Sequence, residues 1–341
     1  MSATTEFDDV PVAVDDVLAG AWWPSRYGAG DERGTLNEVT PEKTAAALRL
    51  LDLSRPVKTY TLSETLFNGF PAYGDREYEQ RLVLNGFAPP SGYEGIVQSP
   101  EPIGPFLLSS LEERVQLTYN MGTKINGLHH VGIGGRFYNG LRGADISRTW
   151  GTTQCGMESQ GPVVTRGVLI DVVGEKVASG RTDDVVVLPT GQATLVEGYR
   201  ITVDDIHRAL ARQGLADPGG PGDVILVRTG WRNYLDVDPA MYLSTSVPGL
   251  GLREIRYLAS RRPAILGMDV WFFGARGQED PSAAILGHQE AAIRYGVRIG
   301  EAVPTDVLAA DGVFEFVFIL SPNNARGAVS AYTPPIALAQ P

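Results

Sequence analysis

One stretch of the chain gathers side chains of chemical use more densely than any other: Tyr119-Asn120-Met121-Gly122-Thr123-Lys124-Ile125-Asn126-Gly127-Leu128-His129-His130-Val131. A lysine ammonium in a dry pocket can steady a developing oxyanion or enolate. Asn120 and Asn126 are neutral and can hydrogen-bond a carbonyl or hydroxyl group. Imidazole moves protons near neutral pH. The chain has four histidines, of which His129 and His130 stand here and His288 stands far downstream. Such a set transfers protons and steadies negative charge, but it is weak at generating hydroxide. Other signals carry less. Gly132-Ile133-Gly134-Gly135 lacks the strand, loop and helix of a nucleotide site and reads as a tight turn. Cys155 has no neighbouring histidine in sequence and reads as a small buried side chain. His207, beside Asp204 and Arg208, reads as a solvated helix residue, and no Gly-x-Ser-x-Gly elbow occurs.

The elements that must position these groups follow from periodicity and capping. Thr40-Pro41 is an N-cap followed by proline at the first helical position, opening a helix to about residue 51. Residues 57–62 alternate as a strand, and so do 114–119, with Val115, Leu117 and Tyr119 on one face. The apolar runs 167–173 and 185–188 read as buried strands. Thr202 and Asp205 form a capping box for a helix ending near Gly214. Strands are expected at 223–228, 264–268 and 313–320, with helices at 252–261 and 282–295. Residues 69–110 are rich in Gly, Pro and Ser without periodicity, and read as a surface excursion, a lid or an oligomer arm. Residues 1–20 read as a loosely ordered segment before a single domain over 21–341. Intermixed helices and strands indicate an α/β domain with a central sheet.

The whole chain bounds the partners. Its 341 residues are 43% hydrophobic and 20% charged, which fits a globular enzyme and excludes wholesale disorder. With 29 basic against 40 acidic residues the net charge is -11, a poor match for nucleic acid or an anionic membrane. No apolar run is long enough to span a bilayer, and the acidic start MSATTEFDDV is unlike a secretion signal. A single cysteine cannot form an internal disulfide, so the cytoplasm is the expected location.

The 119–131 segment resembles the signature H-x-G-T-H-x-D-x-P-x-H of the cyclase family, which includes bacterial kynurenine formamidases and isatin hydrolases. Supporting matches are residues 31–37, Phe137-Tyr138-Asn139-Gly140, Thr165-Arg166-Gly167-Val168-Leu169, Pro221-Gly222-Asp223, Arg228-Thr229-Gly230-Trp231 and Pro248-Gly249. His288 and Glu301 stand for the family's late histidine and glutamate. The resemblance implies a swivelling β/β/α fold, usually dimeric or tetrameric, that hydrolyses small amides or lactams with a divalent metal. Against that pattern the first signature histidine is Asn120, the second is Lys124 and the aspartate is Asn126, while His130 stands unchanged. Each replacement removes a ligand, and a protonated lysine repels a cation.

The expectation is therefore a metal-independent, cofactor-free enzyme. It would act on a small oxygenated metabolite by cyclisation, isomerisation, dehydration or lactone or lactam ring opening. The catalytic set is Lys124, His130, His288 and Glu301, with His288 as a base oriented by Glu301. Asn120, Asn126, His129 and Tyr138 are the substrate-binding set. One alternative is a mononuclear amide or lactam hydrolase holding a metal on His130, His288 and Glu301. Another is a catalytically inactive binding protein. The expected assembly is a homodimer or homotetramer. Lys124→Ala is expected to abolish most activity without unfolding the chain.

Overall fold

A nine-stranded sheet organises the computed structural model, which describes residues 7–84, 105–107, 111–275 and 285–341. Its order is Lys58–Thr61, Ile336–Ala339, Glu315–Leu320, Val163–Asp171, Val224–Arg228, Ile265–Met268, Arg298–Glu301, Lys124–Asn126 and Ser330–Tyr332. The four strands from Val163–Asp171 to Arg298–Glu301 run parallel, and the strands flanking them are antiparallel. Parallel strands covered on both faces need apolar residues at every position. Val224-Ile225-Leu226-Val227 shows why: Ile225 and Val227 enter one core, and Val224 and Leu226 enter the other. The first core is covered by the helices Val203–Gln213 and Leu252–Ser260. Each such aliphatic side chain contributes about 1.5–3 kcal/mol by leaving water.

Local signals set several elements as expected. Thr202 and Asp205 close a full capping box on Val203–Gln213, and Gly214 ends that helix in the left-handed region at φ 70°. Thr40 Oγ1 accepts the Lys43 N–H at 3.2 Å to start Pro41–Leu48, which stops short of the expected residue 51. Ile133 and Arg136 bridge across the Gly134-Gly135 turn.

Other expectations differ from the structure. The apolar run 167–173 is divided at Asp171, whose side chain accepts the Gly174 N–H at 3.0 Å and starts the helix Val172–Ala178. Val185–Val187 pairs only with Ala193–Leu195, and Val187 is 68% exposed, so this hairpin is not a core strand. Within 69–110 the segment Tyr78–Leu84 is a strand, paired with Leu111–Leu117 in a ribbon separate from the main sheet. The middle of that stretch, 85–104 and 108–110, lies outside the described residues, as do 1–6 and 276–284. Residues 7–20, expected to be loose, are tied down. Asp9 pairs with Arg200 and Arg253, Asp8 pairs with Arg256, and Val17 of the helix Val14–Leu18 is fully buried. Charge complementarity between distant segments anchored this part, and sequence periodicity does not record it.

Candidate active site

The Lys124–Asn126 strand lies between Arg298–Glu301 and Ser330–Tyr332, with Lys124 opposite Glu301 and Asn126 opposite Ile299. Alternation along a strand sends Lys124 and Asn126 to one face and Ile125 to the other. Ile125 duly enters the second core, while the two polar side chains meet Glu301. Lys124 Nζ stands 3.1 Å from Glu301 Oε2 and donates to the Trp271 carbonyl at 2.9 Å. Asn126 Nδ2 donates to the same Glu301 oxygen at 2.8 Å and lies 3.4 Å from His288 Nε2. The Phe273 N–H donates to Glu301 Oε1 at 2.7 Å. His288 comes from the short helix Leu286–Gln289, which runs into a π-helical turn, Glu290–Arg294. Its ring lies 5.8 Å from that of His130, and Asn120 Nδ2 is 3.4 Å from His130 Nε2.

Burial and charge set the protonation of this group. Burial by itself would raise the Glu301 carboxyl, but Lys124 foremost, then His288 and the Phe273 N–H, more than offset it and hold the pKa at about 2. Burial pulls Lys124 below the ordinary lysine value and the Glu301 carboxylate opposes that pull; the two groups meet as a buried salt bridge at 3.1 Å. Burial also lowers both imidazoles, His130 to about 3, and each is neutral at pH 7. Two neutral imidazoles can accept protons. Lys124 has three N–H donors and, among the described residues, spends two on Trp271 and Glu301, so a third can meet an oxyanion. The Oδ1 atoms of Asn120 and Asn126 are buried without a partner among the described residues. Buried acceptors of that kind call for a donor, such as a substrate hydroxyl or N–H.

Of the eight expected site residues, the structure gathers Lys124, Asn126, His288 and Glu301, with His130 and Asn120 beside them. The contacts correct one role. Glu301 does not hydrogen-bond His288, and Asn126 stands between them. His129 and Tyr138 lie apart from the cluster. His129 bonds Thr152 Oγ1 at 2.5 Å and Ser147 Oγ at 3.3 Å, with its ring edge on Phe137. Tyr138 donates to Asp31 Oδ2 at 2.7 Å and packs with Leu128 and Cys155. His129 and His130 lie in a turn closed by the His130 N–H donating to the Gly127 carbonyl at 3.1 Å, and their side chains leave it for different partners. Burial pushes the Cys155 thiol up to about 12, as suits an inert core side chain. The sequence reading missed Trp271 and Phe273, whose backbone groups hold Lys124 and Glu301. Both follow the strand Ile265–Met268, at the carboxyl end of a parallel strand where α/β sites form.

A divalent ion fits this donor set poorly. Glu301 already takes Lys124, Asn126 and the Phe273 N–H, and the ammonium stands where a cation would bind. Among the described residues no three His, Cys, Asp or Glu side chains are grouped to hold a metal.

The sequence matches the family model of the putative cyclases over residues 32–275. The chain belongs to that family. No curated protein matches it in sequence. The solved structure of a novel cyclase is 26% identical, with 96% of this chain and 99% of that one covered and a TM-score of 0.76. Isatin hydrolase A from Ralstonia solanacearum is 17% identical, with 83% and 92% covered and a TM-score of 0.56. An isatin hydrolase bound to the product analogue thioisatinate is also 17% identical, with 89% and 100% covered and a TM-score of 0.56. The α/β fold expected from the cyclase-family resemblance, with its curled mixed sheet, is the fold observed.

Proposed function

We propose that this putative-cyclase-family chain is a metal-independent enzyme acting on a small oxygenated metabolite by acid–base and oxyanion chemistry. The observation that carries this reading is the buried Lys124–Glu301 ion pair at 3.1 Å, set beside the neutral imidazoles of His288 and His130. In this reading Asn126 Oδ1 accepts a hydrogen bond from the substrate and orients it. His288 Nε2, within 3.4 Å of the Asn126 amide, takes a proton, and His130 serves as the second proton carrier. The free Lys124 N–H meets the oxygen on which charge develops.

This chemistry favours ring closure, isomerisation, dehydration or lactone or lactam opening. An intramolecular nucleophile reaches an effective molarity of about 10⁵ M or more, so ring closure can proceed without metal-bound hydroxide. The isatin hydrolases of like fold make isatin a sensible member of a lactam and lactone panel. The test is product analysis on that panel together with elemental analysis of the purified protein. Activity is expected to survive exhaustive chelation, and His288→Ala to lower kcat by about 10²- to 10⁴-fold with KM little changed. One equivalent of bound metal, lost in step with activity, would instead establish the mononuclear hydrolase.

A further inference from the structure

His129 stands outside the Lys124 cluster, yet both of its ring nitrogens are engaged. It is 5% exposed and reaches two hydroxyls of a short hairpin, whose strands are Ser147–Arg148 and Gly151–Thr152. Ser147 and Thr152 stand directly opposite each other in that antiparallel pair, and residues so opposed share a face. One imidazole can therefore meet both. Its Nδ1 lies 2.5 Å from Thr152 Oγ1, and its Nε2 lies 3.3 Å from Ser147 Oγ. The bonds around Thr152 assign the tautomer. The Thr152 hydroxyl donates to the Gln154 carbonyl at 2.7 Å, so toward His129 its oxygen accepts, and the imidazole proton sits on Nδ1. The Nε2 lone pair then faces the hydroxyl of Ser147, an exposed residue. The Phe137 ring meets the imidazole edge to face, with centroids 4.1 Å apart, and fixes its plane. Burial lowers the His129 pKa, which leaves the ring neutral at pH 7 and able to take a proton. Arg148 donates to the Ser147 and Asp145 carbonyls at 2.7 and 3.0 Å, which anchors a guanidinium one residue from the hydroxyl.

We propose that Ser147 is a nucleophile, at a site separate from Lys124, and that it takes an acyl group from small aryl esters. The proposal stands apart from the acid–base reading of the Lys124 cluster. The Ser147 oxygen attacks the ester carbonyl carbon and passes its proton to His129 Nε2. The bond between that carbon and the aryloxide oxygen breaks, the aryloxide leaves with the proton from His129, and the acyl group stays on Ser147. Arg148 is the cation at hand for the oxyanion formed on the way. Thr152 is a positioning residue, since it touches the imidazole and not the ester. Its hydroxyl steadies an imidazolium less than a carboxylate would, so the relay needs a leaving group that departs readily, and an aryloxide does. The exposed Trp150, in the turn of the same hairpin, offers the aryl group an apolar face.

The test is incubation of the full chain with p-nitrophenyl acetate, followed by peptide mass spectrometry over time. One acetyl group is expected on the peptide bearing Ser147, absent from Ser147→Ala, and formed at least about 10²-fold more slowly in His129→Gln. Acetylation confined to lysines, none on Ser147, or a Ser147 rate in His129→Gln within about tenfold of wild type would each overturn the proposal. If His129→Gln does not fold, the Thr152 variants decide. Acetylation of Ser147 should slow in Thr152→Val and be kept in Thr152→Ser, and equal rates in these two would overturn the relay.

Discussion

A lysine and a glutamate taken together out of water persist only where each keeps its charge and its remaining hydrogen-bonding groups are met. Lys124 and Glu301 satisfy this through Trp271, Asn126 and Phe273. Their side chains are each 3% exposed, which argues against the expectation that Lys124→Ala leaves the chain folded. That substitution strands the Glu301 charge, at a cost of about 3–5 kcal/mol. Urea titration should show this loss in Lys124→Met, and the double variant Lys124→Met/Glu301→Gln should recover most of it. A second prediction concerns His130, whose pKa falls from 6.5 to about 3 in the folded chain. Between these values the unfolded chain binds a proton that the folded chain refuses, so stability declines as pH falls below about 6.5. Each unit costs at most about 1.4 kcal/mol for this residue. Burial also lowers His129 and His288, so they add to the same decline. His130→Asn should therefore reduce the slope of stability against pH between 6 and 5, without removing it. An unchanged slope would mean that His130 is already protonated in the fold.

At the scale of elements, the residues 31–37 act as a clamp on the site. The Thr35 N–H and Oγ1 both donate to the Gly296 carbonyl, at 2.9 and 3.1 Å, and Arg298 Nη1 donates to the Arg33 carbonyl at 2.5 Å. Gly296 joins the π-helical turn after His288 to the strand that ends in Glu301. The 3₁₀ turn Gly34–Glu38 therefore fixes the spacing of two site residues it does not touch. Gly34 has φ +57°, and a Cβ there would stand 2.2 Å from the Gly296 oxygen, which is backbone and cannot swing aside. Gly34→Ala is expected to cost about 2 kcal/mol or more by thermal unfolding. It should also lower kcat at temperatures where the variant is still folded, because the His288–Glu301 connection must shift. Wild-type stability in Gly34→Ala would show that the clamp yields freely.

Across the whole molecule, the main sheet joins the first and the last strand of the described chain, since Lys58–Thr61 pairs with Ile336–Ala339. The two apolar cores lie on opposite faces of that one sheet, and neighbouring residues of a strand belong to different cores. On this basis residues 21–341 are proposed to be one cooperative unit, which should melt in a single calorimetric transition with agreeing calorimetric and van't Hoff enthalpies. Two separated transitions would divide it. Among the described residues no helix is long and apolar enough to cross a membrane. A homodimer or homotetramer remains the proposed assembly, to be measured by light scattering.

The sequence by itself determined the elements whose signals are local. The capping box of Thr202 and Asp205 and the apolar runs of the parallel strands sufficed to place them. It also indicated which distant residues belong together, because Lys124, Asn126, His130, His288 and Glu301 stand in one family-like pattern. Only the tertiary structure decided what they do to one another. Strand register put Lys124 opposite Glu301, and that long-range pairing made the carboxylate a partner of the ammonium rather than of His288. The backbone turned His129 and Tyr138 toward Thr152 and Asp31, away from the cluster they were expected to join. The ribbon Tyr78–Leu84 was hidden for a similar reason, since its partner strand begins 27 positions later, at Leu111. Local periodicity reports which face of an element is apolar; it is silent on which polar groups meet there, because that depends on contacts between segments far apart in the chain.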